Sequence, residues 1–284
     1  MERSHSAHAQ AAGFDDALSL AGRRALITGG SLGIGRAIAL LMARRGATVA
    51  IHHSSDVDAA MGYPNAAIEL LDEIRQERIE RDGDARTAAL PSRIDIDLAQ
   101  PGAGRRVVDE AIAALGSIDV VVHAASIQVR ESFDEVSAET IDRQVRIDFA
   151  ATVELLQRSV AHMAKLRSGR IIAIGSVNQV RPHPELMVYA ALKAAQHNLI
   201  VGIAKQHAAA GITANTISPG LIATPRNDFR RKDMDEWSRI QKSANPMGRA
   251  GTVDEVAQLA ALLAAPAGAF ITGADIAIDG GGRL

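Results

Sequence analysis

Residues 24–45 read RALITGGSLGIGRAIALLMARR, and the order of residue types there decides the fold. Arg24–Thr28 is a short apolar run ending in glycine, the pattern of a buried strand entering a tight turn. Thr28-Gly29-Gly30-Ser31-Leu32-Gly33-Ile34-Gly35 follows, and residues 36–45, rich in Ala, Leu and Ile, read as a helix. A glycine-rich turn between strand and helix lets the backbone approach a pyrophosphate. The helix start adds free N–H groups and the positive end of its dipole. Without a ligand the same turn is only a tight connection, but its flanking elements favour nucleotide binding. The candidate contacts are Gly29, Ser31, Leu32, Gly33, Ile34 and Gly35.

Strand and helix alternate outward from this unit. Residues 48–52 read as a second strand, 56–64 as an inserted loop, 65–82 as a charged amphipathic helix and 85–90 as a third strand. A helix at 107–115 precedes a strongly apolar fourth strand at 118–125, and one long helix spans about 138–166. A strand at 171–174, a helix around Tyr189, a strand at 213–217, a Thr-capped helix at 252–264 and a last strand at 275–279 complete the series. No linker-like stretch interrupts it. The expectation is one doubly wound Rossmann-type α/β domain over residues 20–284, with a parallel sheet flanked by helices. Residues 1–19 read as a mobile N-terminal tail. Residues 226–249 are highly charged, hold the only tryptophan, Trp237, and read as a helical lid or equally as a solvated surface hairpin.

The totals agree with this layout. In 284 residues, 47% hydrophobic but only 3% aromatic, the interior must be filled by Ala, Val, Ile and Leu, as in helices packed on a parallel sheet. A net charge of -2 gives no general electrostatic reason to bind nucleic acid or an acidic membrane. The lack of cysteine excludes disulfides, thiol catalysis and thiolate metal sites. There is no uncharged apolar run of about 18 residues and no signal-peptide core, so a cytoplasmic protein without a membrane partner is expected.

The end of the second strand faces a nucleotide's ribose in such folds, and a carboxylate there would hold the two ribose hydroxyls. Here the residues are His52, His53, Ser54 and Ser55, and the first acid is Asp56. A 2′-phosphate is then not repelled, and imidazoles and serine hydroxyls can donate to it. Leu32 and Ser54 occupy the phosphate-facing positions, with no arginine. The expected cofactor is NADP(H) rather than NAD(H). The adjacent histidines also invite a metal, but neighbours on a strand point to opposite faces, so none is expected. Asp97 and Leu98, with Asp95 as the other choice, are candidates for the adenine, or equally a cap or turn.

The chemistry is carried by residues 176–193, SVNQVRPHPELMVYAALK. Tyr189 and Lys193 lie one helical turn apart, and an ammonium nearby favours a phenolate, so Tyr189 is expected below its usual pKa of about 10. Ser176, on a strand end, offers a hydroxyl to the oxygen of a carbonyl or alcohol. By itself Tyr-x-x-x-Lys also describes a packed tyrosine with a snorkelling lysine. Beyond the sixth strand, Pro219 and Gly220 free the backbone to pass beside a bound ring.

Together these motifs resemble the short-chain dehydrogenase/reductase family, from about Leu20 to the C-terminus. Thr-Gly-x-x-x-Gly-x-Gly stands at 28–35, Ser176 lies thirteen residues before Tyr189, and Lys193 follows four later. Residues 215–224 fit Asn-x-Ile-x-Pro-Gly-x-Ile-x-Thr, and the turn at 246–249 and Asp279-Gly280-Gly281 also match. The resemblance implies hydride transfer between a secondary alcohol and a ketone. Tyr189 would be the acid/base and Ser176 would orient the substrate oxygen. Lys193 would hold the nicotinamide ribose while lowering the Tyr189 pKa, and Ile222 and Thr224 would meet the nicotinamide end. It also implies a homotetramer.

Two departures stand out. His123-Ala124-Ala125-Ser126 replaces the family's Asn-Asn-Ala-Gly, removing amides that steady the central strands and adding bulk beside the cofactor. Asp148 falls where the family has its relay asparagine, stabilising the Lys193 ammonium while offsetting its field at Tyr189. The loops look most like members acting on sugars or sugar acids, such as gluconate 5-dehydrogenases, with Arg181, His183 and Arg226 available to a hydroxylated or anionic substrate. 3-Oxoacyl-carrier-protein reductases share nearly every motif. A non-catalytic nucleotide-binding member is the second class, favoured by the departures and opposed by Ser176, Tyr189 and Lys193.

Overall fold

The structure, a computed structural model, describes residues 14–82 and 90–284. Its strands are β1 Arg24–Thr28, β2 Thr48–His53, β3 Ser92–Asp95, β4 Val120–His123, β5 Gly169–Ile174, β6 Ile212–Pro219 and β7 Asp275–Ile278. They form one sheet in the order β3-β2-β1-β4-β5-β6-β7, every neighbour parallel. β4 and β5 are buried throughout, which is why VVVH and GRIIAI run nearly continuously apolar instead of alternating. Strand order reverses between β1 and β4, where such sheets open a crevice at their carboxyl ends. The register sets Thr28 level with His52 and His123, and His123 level with Ala173, so four strand ends form one rim.

The helices are α1 Phe14–Ala17, α2 Gly33–Arg44, α3 Ser55–Ala60, α4 Ala66–Asp82, α5 Ala103–Leu115 and α6 Ala138–Gln144. They continue as α7 Ala151–Leu166, α8 Met187–His207, α9 Asp228–Arg231, α10 Met234–Ala244 and α11 Val253–Ala264. Alternate strand residues feed two cores. Ile27, Ile51 and Ile172 meet Ile38 and Met42 of α2 and Leu263 of α11 on one face. Leu26, Val121 and Ile171 meet Val107 of α5, Leu155 of α7 and Ile200 of α8 on the other. α11 begins with a capping box: the Thr252 hydroxyl accepts from the Glu255 N–H, and the Glu255 carboxylate accepts from the Thr252 N–H.

Several elements differ from expectation. Residues 55–60, overlapping the loop expected at 56–64, form α3, whose carboxylates at Asp56 and Asp58 suit its positive N-terminal end. Of the strand expected at 85–90, residues 85–89 lie outside the described residues. The third strand is Ser92–Asp95, with Ile94 buried between exposed Arg93 and Asp95, too short a run to show as periodicity. The long helix over 138–166 is interrupted by a π-helical turn, Val145–Ala150. Of the expected tail, residues 14–17 form α1, and residues 1–13 lie outside the description. Pro184–Ala210, containing α8, is the one helical segment among the described residues long and apolar enough to cross a membrane, yet α8 packs on β6 and carries Lys193.

Candidate active site

The glycine turn is built by close approach. Gly29 has φ +62, and a Cβ there would stand 2.9 Å from the Ala125 backbone. A Cβ on Gly35 would stand 2.0 Å from the Gly29 carbonyl oxygen, which welds the start of α2 to the turn. The Thr28 hydroxyl accepts from both the Ala124 and Ala125 N–H groups at 3.2 Å, tying residues 124–126 to the end of β1. α2 is capped by Leu32, which brings no side-chain hydrogen bond, so its first-turn N–H groups stay available to an anion. Thr224 lies across the turn, 3.6 Å from where a Gly33 Cβ would be. Its loop is pinned by the Gly220 N–H donating to the Ile278 carbonyl at 3.1 Å and by a bridge from buried Ile222 to Gly251. This cradle of bare backbone and free amides fits a dinucleotide.

The end of β2 differs from the sequence reading. His52 is buried: its Nε2 lies 2.9 Å from the Ile96 carbonyl, and its Nδ1 lies 3.5 Å from the Gly29 N–H. Burial pushes its pKa down to about 4, so the neutral ring props the glycine turn from beneath and is no phosphate donor. His53 is buried too, its Nδ1 3.0 Å from Oδ2 of Asp58, while the Ser31 hydroxyl donates to Oδ1 of Asp58 at 2.9 Å. A carboxylate therefore does stand beside the end of β2, on α3, but both of its oxygens face protein groups. It escaped the sequence reading because residues 56–64 were expected to be a loop, and only the packing of α3 brings Asp58 back to Ser31.

Ser54 is half-buried at the N-cap of α3 and makes no side-chain capping bond, and exposed Ser55 is held by its N–H donating to Asp95 at 3.0 Å. Exposed Asp97 accepts from the Ala99 N–H at 2.8 Å as a turn residue, with Leu98 buried beside it. Among the described residues no cluster of three His, Asp or Glu could hold a metal.

Ser176, Tyr189 and Lys193 come together at the carboxyl end of β5. Ser176 caps a short 3-10 turn, and its Oγ accepts from the Asn178 backbone N–H at 3.1 Å and side-chain Nδ2 at 3.2 Å. With those acceptor positions taken, the hydroxyl proton is left to donate outward. The Lys193 Nζ donates to the Ile174 carbonyl at 2.9 Å and to Gln196 Oε1 at 3.0 Å, and stands 5.7 Å from the centre of the Tyr189 ring.

The expected drop in the Tyr189 pKa is not what the structure gives. Burial pushes it above the usual tyrosine value, Arg226 gives the largest downward pull, and the Ser176 and Ser126 hydroxyls add to that pull. Asp148 adds to the rise, and Lys193 stands against the ring with its ammonium on the Ile174 carbonyl and Gln196. Burial lowers Lys193 itself to about 8, with Asp148 opposing.

The two departures are both structured. His123 Nδ1 lies 2.9 Å from the Thr28 hydroxyl and Nε2 lies 2.8 Å from the Thr152 hydroxyl, so the ring replaces the expected lost amide bonds by linking β1 to α7. Its burial pushes the pKa down to about 3 and keeps it neutral. Asp148 lies in the π turn, 1% exposed, and accepts the Ile127 N–H at 3.0 Å. π turns of this kind recur at functional sites. Arg226 donates to the Ser126 carbonyl at 3.0 Å, which brings the segment expected as a lid to the rim of the site. Arg181 instead donates to the Gly282 carbonyl, and His183 Nδ1 accepts from the Glu185 N–H at 3.2 Å, so both brace the loop.

Comparison with known proteins agrees with this geometry. A family model described as enoyl-(acyl carrier protein) reductase matches residues 29–282. The chain is 32% identical over 263 residues to the L-rhamnose-1-dehydrogenase of Scheffersomyces stipitis, covering 92% of this chain and 96% of that one. It superposes on a 3-oxoacyl (acyl-carrier-protein) reductase from Agrobacterium tumefaciens with NADP bound at TM-score 0.85 and 33% identity, covering 96% of this chain and 99% of that one. A putative NAD(P)-dependent gluconate 5-dehydrogenase from Beutenbergia cavernae with NADP at low occupancy gives TM-score 0.80 at 30% identity, covering 94% and 98%. A cradle for a dinucleotide beside a buried Ser-Tyr-Lys cluster and these full-length likenesses lead to one assignment: the chain belongs to the short-chain dehydrogenase/reductase family and is an NAD(P)-dependent oxidoreductase.

Proposed function

We propose that this enzyme interconverts a CH–OH group and a carbonyl on a sugar, sugar acid or polyol, with NADP(H) preferred. The observation that carries the reading is the meeting of the Ser176 hydroxyl, the Tyr189 phenol and the Lys193 ammonium at one strand end. A nicotinamide cofactor supplies or accepts the hydride when bound. The glycine turn and the first-turn amides of α2 would hold the pyrophosphate, and Lys193 would hold the nearer ribose. Ser176 donates to the substrate oxygen and fixes it beside Tyr189, which gives the proton in reduction and removes it in oxidation. Arg226 assists by favouring the phenolate. Burial of Ser176, Tyr189 and Lys193 at 6%, 6% and 2% exposure keeps bulk water from this proton transfer.

The sugar reading is supported by the names of the rhamnose and gluconate dehydrogenases the chain resembles and by Arg226 at the rim. The NADP(H) preference is supported by the NADP-bound neighbours. It is also supported by Asp58, whose two oxygens are both engaged inside the protein and are not free for a ribose diol. The likeness to a 3-oxoacyl reductase favours a second reading, reduction of a 3-oxoacyl thioester. Rates with L-rhamnose, D-glucose and gluconate against NADP+ and NAD+, beside reduction of acetoacetyl-CoA by NADPH, separate the two. Turnover confined to acetoacetyl-CoA would overturn the sugar reading.

A further inference from the structure

At the rim of the site stands an arginine whose charge no carboxylate meets. Arg226 lies in the 3-10 turn Pro225–Asn227, which is seated on the cofactor cradle. Thr224 and Pro225 stand 3.6 and 3.7 Å from where a Gly33 Cβ would be. From there the guanidinium crosses to the loop after β4 and donates to the Ser126 carbonyl at 3.0 Å. His123 of β4 is level with Ala173 of β5, so Ser126 and Ser176 each stand three residues beyond adjacent strand ends. Arg226 is thus tied to the loop beside the one that carries Ser176. Its charge also gives the Tyr189 phenol its strongest pull toward ionisation, and it opposes the Lys193 ammonium.

The carboxylates nearby are engaged elsewhere. Asp228, two residues on, accepts from the Tyr63 hydroxyl at 2.6 Å and from Arg231 at 3.0 Å. Glu185 is held by Arg130 at 2.7 Å. Asp148 is 1% exposed, with Oδ1 on the Ile127 N–H at 3.0 Å. Among the described residues Arg226 makes no ion pair, and the one side-chain hydrogen bond it makes is to a neutral carbonyl. A guanidinium offers five N–H donors in a planar fork that matches the two oxygens of a carboxylate. The Ser126 carbonyl occupies one of them.

We propose that Arg226 selects the substrate by binding a carboxylate on it, so that a hydroxy acid or keto acid such as an aldonate is preferred to a neutral sugar or polyol. This narrows the reading given above and rests on it. Ser176 and Tyr189 take the reacting oxygen, and Arg226 takes the acid group elsewhere on the same molecule.

The probes are D-gluconate and D-glucitol, which differ only in a carboxylate against a CH2OH group. With saturating NADP+, kcat/KM for gluconate should exceed that for glucitol by about tenfold or more. Arg226→Met also removes a charge that acts on Tyr189 and slows both substrates, so the ratio is what is read. It should fall to about one. Arg226→Lys keeps the charge without the fork and should keep part of the preference, about threefold. A ratio near one in the parent, or a preference that Arg226→Met leaves in place, overturns the proposal.

The same two compounds titrated into the complex of full-length protein with NADPH, followed by nicotinamide fluorescence, read binding without turnover. Gluconate should bind about tenfold tighter than glucitol in the parent and no tighter in Arg226→Met. Equal binding in the parent overturns the proposal, and turnover of glucitol would then leave the sugar reading standing. A parent that binds gluconate selectively through Arg226 but turns over neither compound upholds the carboxylate site and counts against the proposed function.

Discussion

His123 makes the protein sensitive to acid in a way that can be measured at one residue. His123 and His52 are held neutral, with pKa values pushed down to about 3 and about 4, against about 6.5 in an unfolded chain. The unfolded chain therefore takes up these protons first. The stability the two rings contribute is complete above about pH 6.5 and is lost as pH falls toward 4 and 3. Each ring costs about 1.4 kcal/mol per pH unit in that window, so at pH 4.5 the pair removes roughly 5 kcal/mol. That is comparable with the whole stability of a modest domain, about 5–15 kcal/mol.

Asp148, whose pKa is raised, acts with the opposite sign: what it contributes is present at low pH and lost as pH rises. A difference measurement cancels it. His123→Asn keeps a polar side chain between the Thr28 and Thr152 hydroxyls but does not titrate. Urea unfolding followed by far-UV circular dichroism at pH 7.5, 6.5, 5.5 and 4.5 should show the variant losing about 2 to 3 kcal/mol less than the parent between pH 6.5 and 4.5. Parallel losses in the two proteins would refute the claim that this ring is buried neutral.

Three further outcomes are expected. Gly35→Ala places a Cβ 2.0 Å from the Gly29 carbonyl, so NADPH affinity measured by nicotinamide fluorescence should fall by more than about tenfold. Thr252→Ala removes the capping box of α11 and should lower stability by about 1 kcal/mol, seen as a lower urea midpoint with unchanged slope. Asp58→Asn removes the negative charge beside Ser31 and His53, and should shift the ratio of NADPH to NADH affinity toward NADPH by about tenfold, a change of about 1.4 kcal/mol.

What was legible in the sequence was whatever depends on local order along the chain. The strand, turn and helix of residues 24–45 and the spacing of Ser176, Tyr189 and Lys193 are local patterns, and the alternation of elements set the doubly wound sheet. Contacts made across the fold were not legible. Asp58 reaches Ser31 only because α3 folds back over the turn, and His52 points beneath the turn because of which way β2 alternates. The direction of the Tyr189 shift was misread because spacing gives the nearness of Lys193 but not the burial of the phenol, which raises its pKa. His123 looked like a lost pair of hydrogen bonds, since no local pattern shows that Thr28 and Thr152 converge on it.

Tyr189 is the group proposed to move the proton during hydride transfer. Its most direct test is the change in absorbance at 340 nm when purified protein and its Tyr189→Phe variant meet the same sugar and acetoacetyl-CoA panel at saturating cofactor. With Tyr189 in that role, the parent turns over, the variant loses about 10²- to 10⁴-fold or more, and NADPH binding is unchanged between them. A variant that turns over as fast as the parent, or a parent that binds NADPH and turns over nothing on the panel, would contradict it.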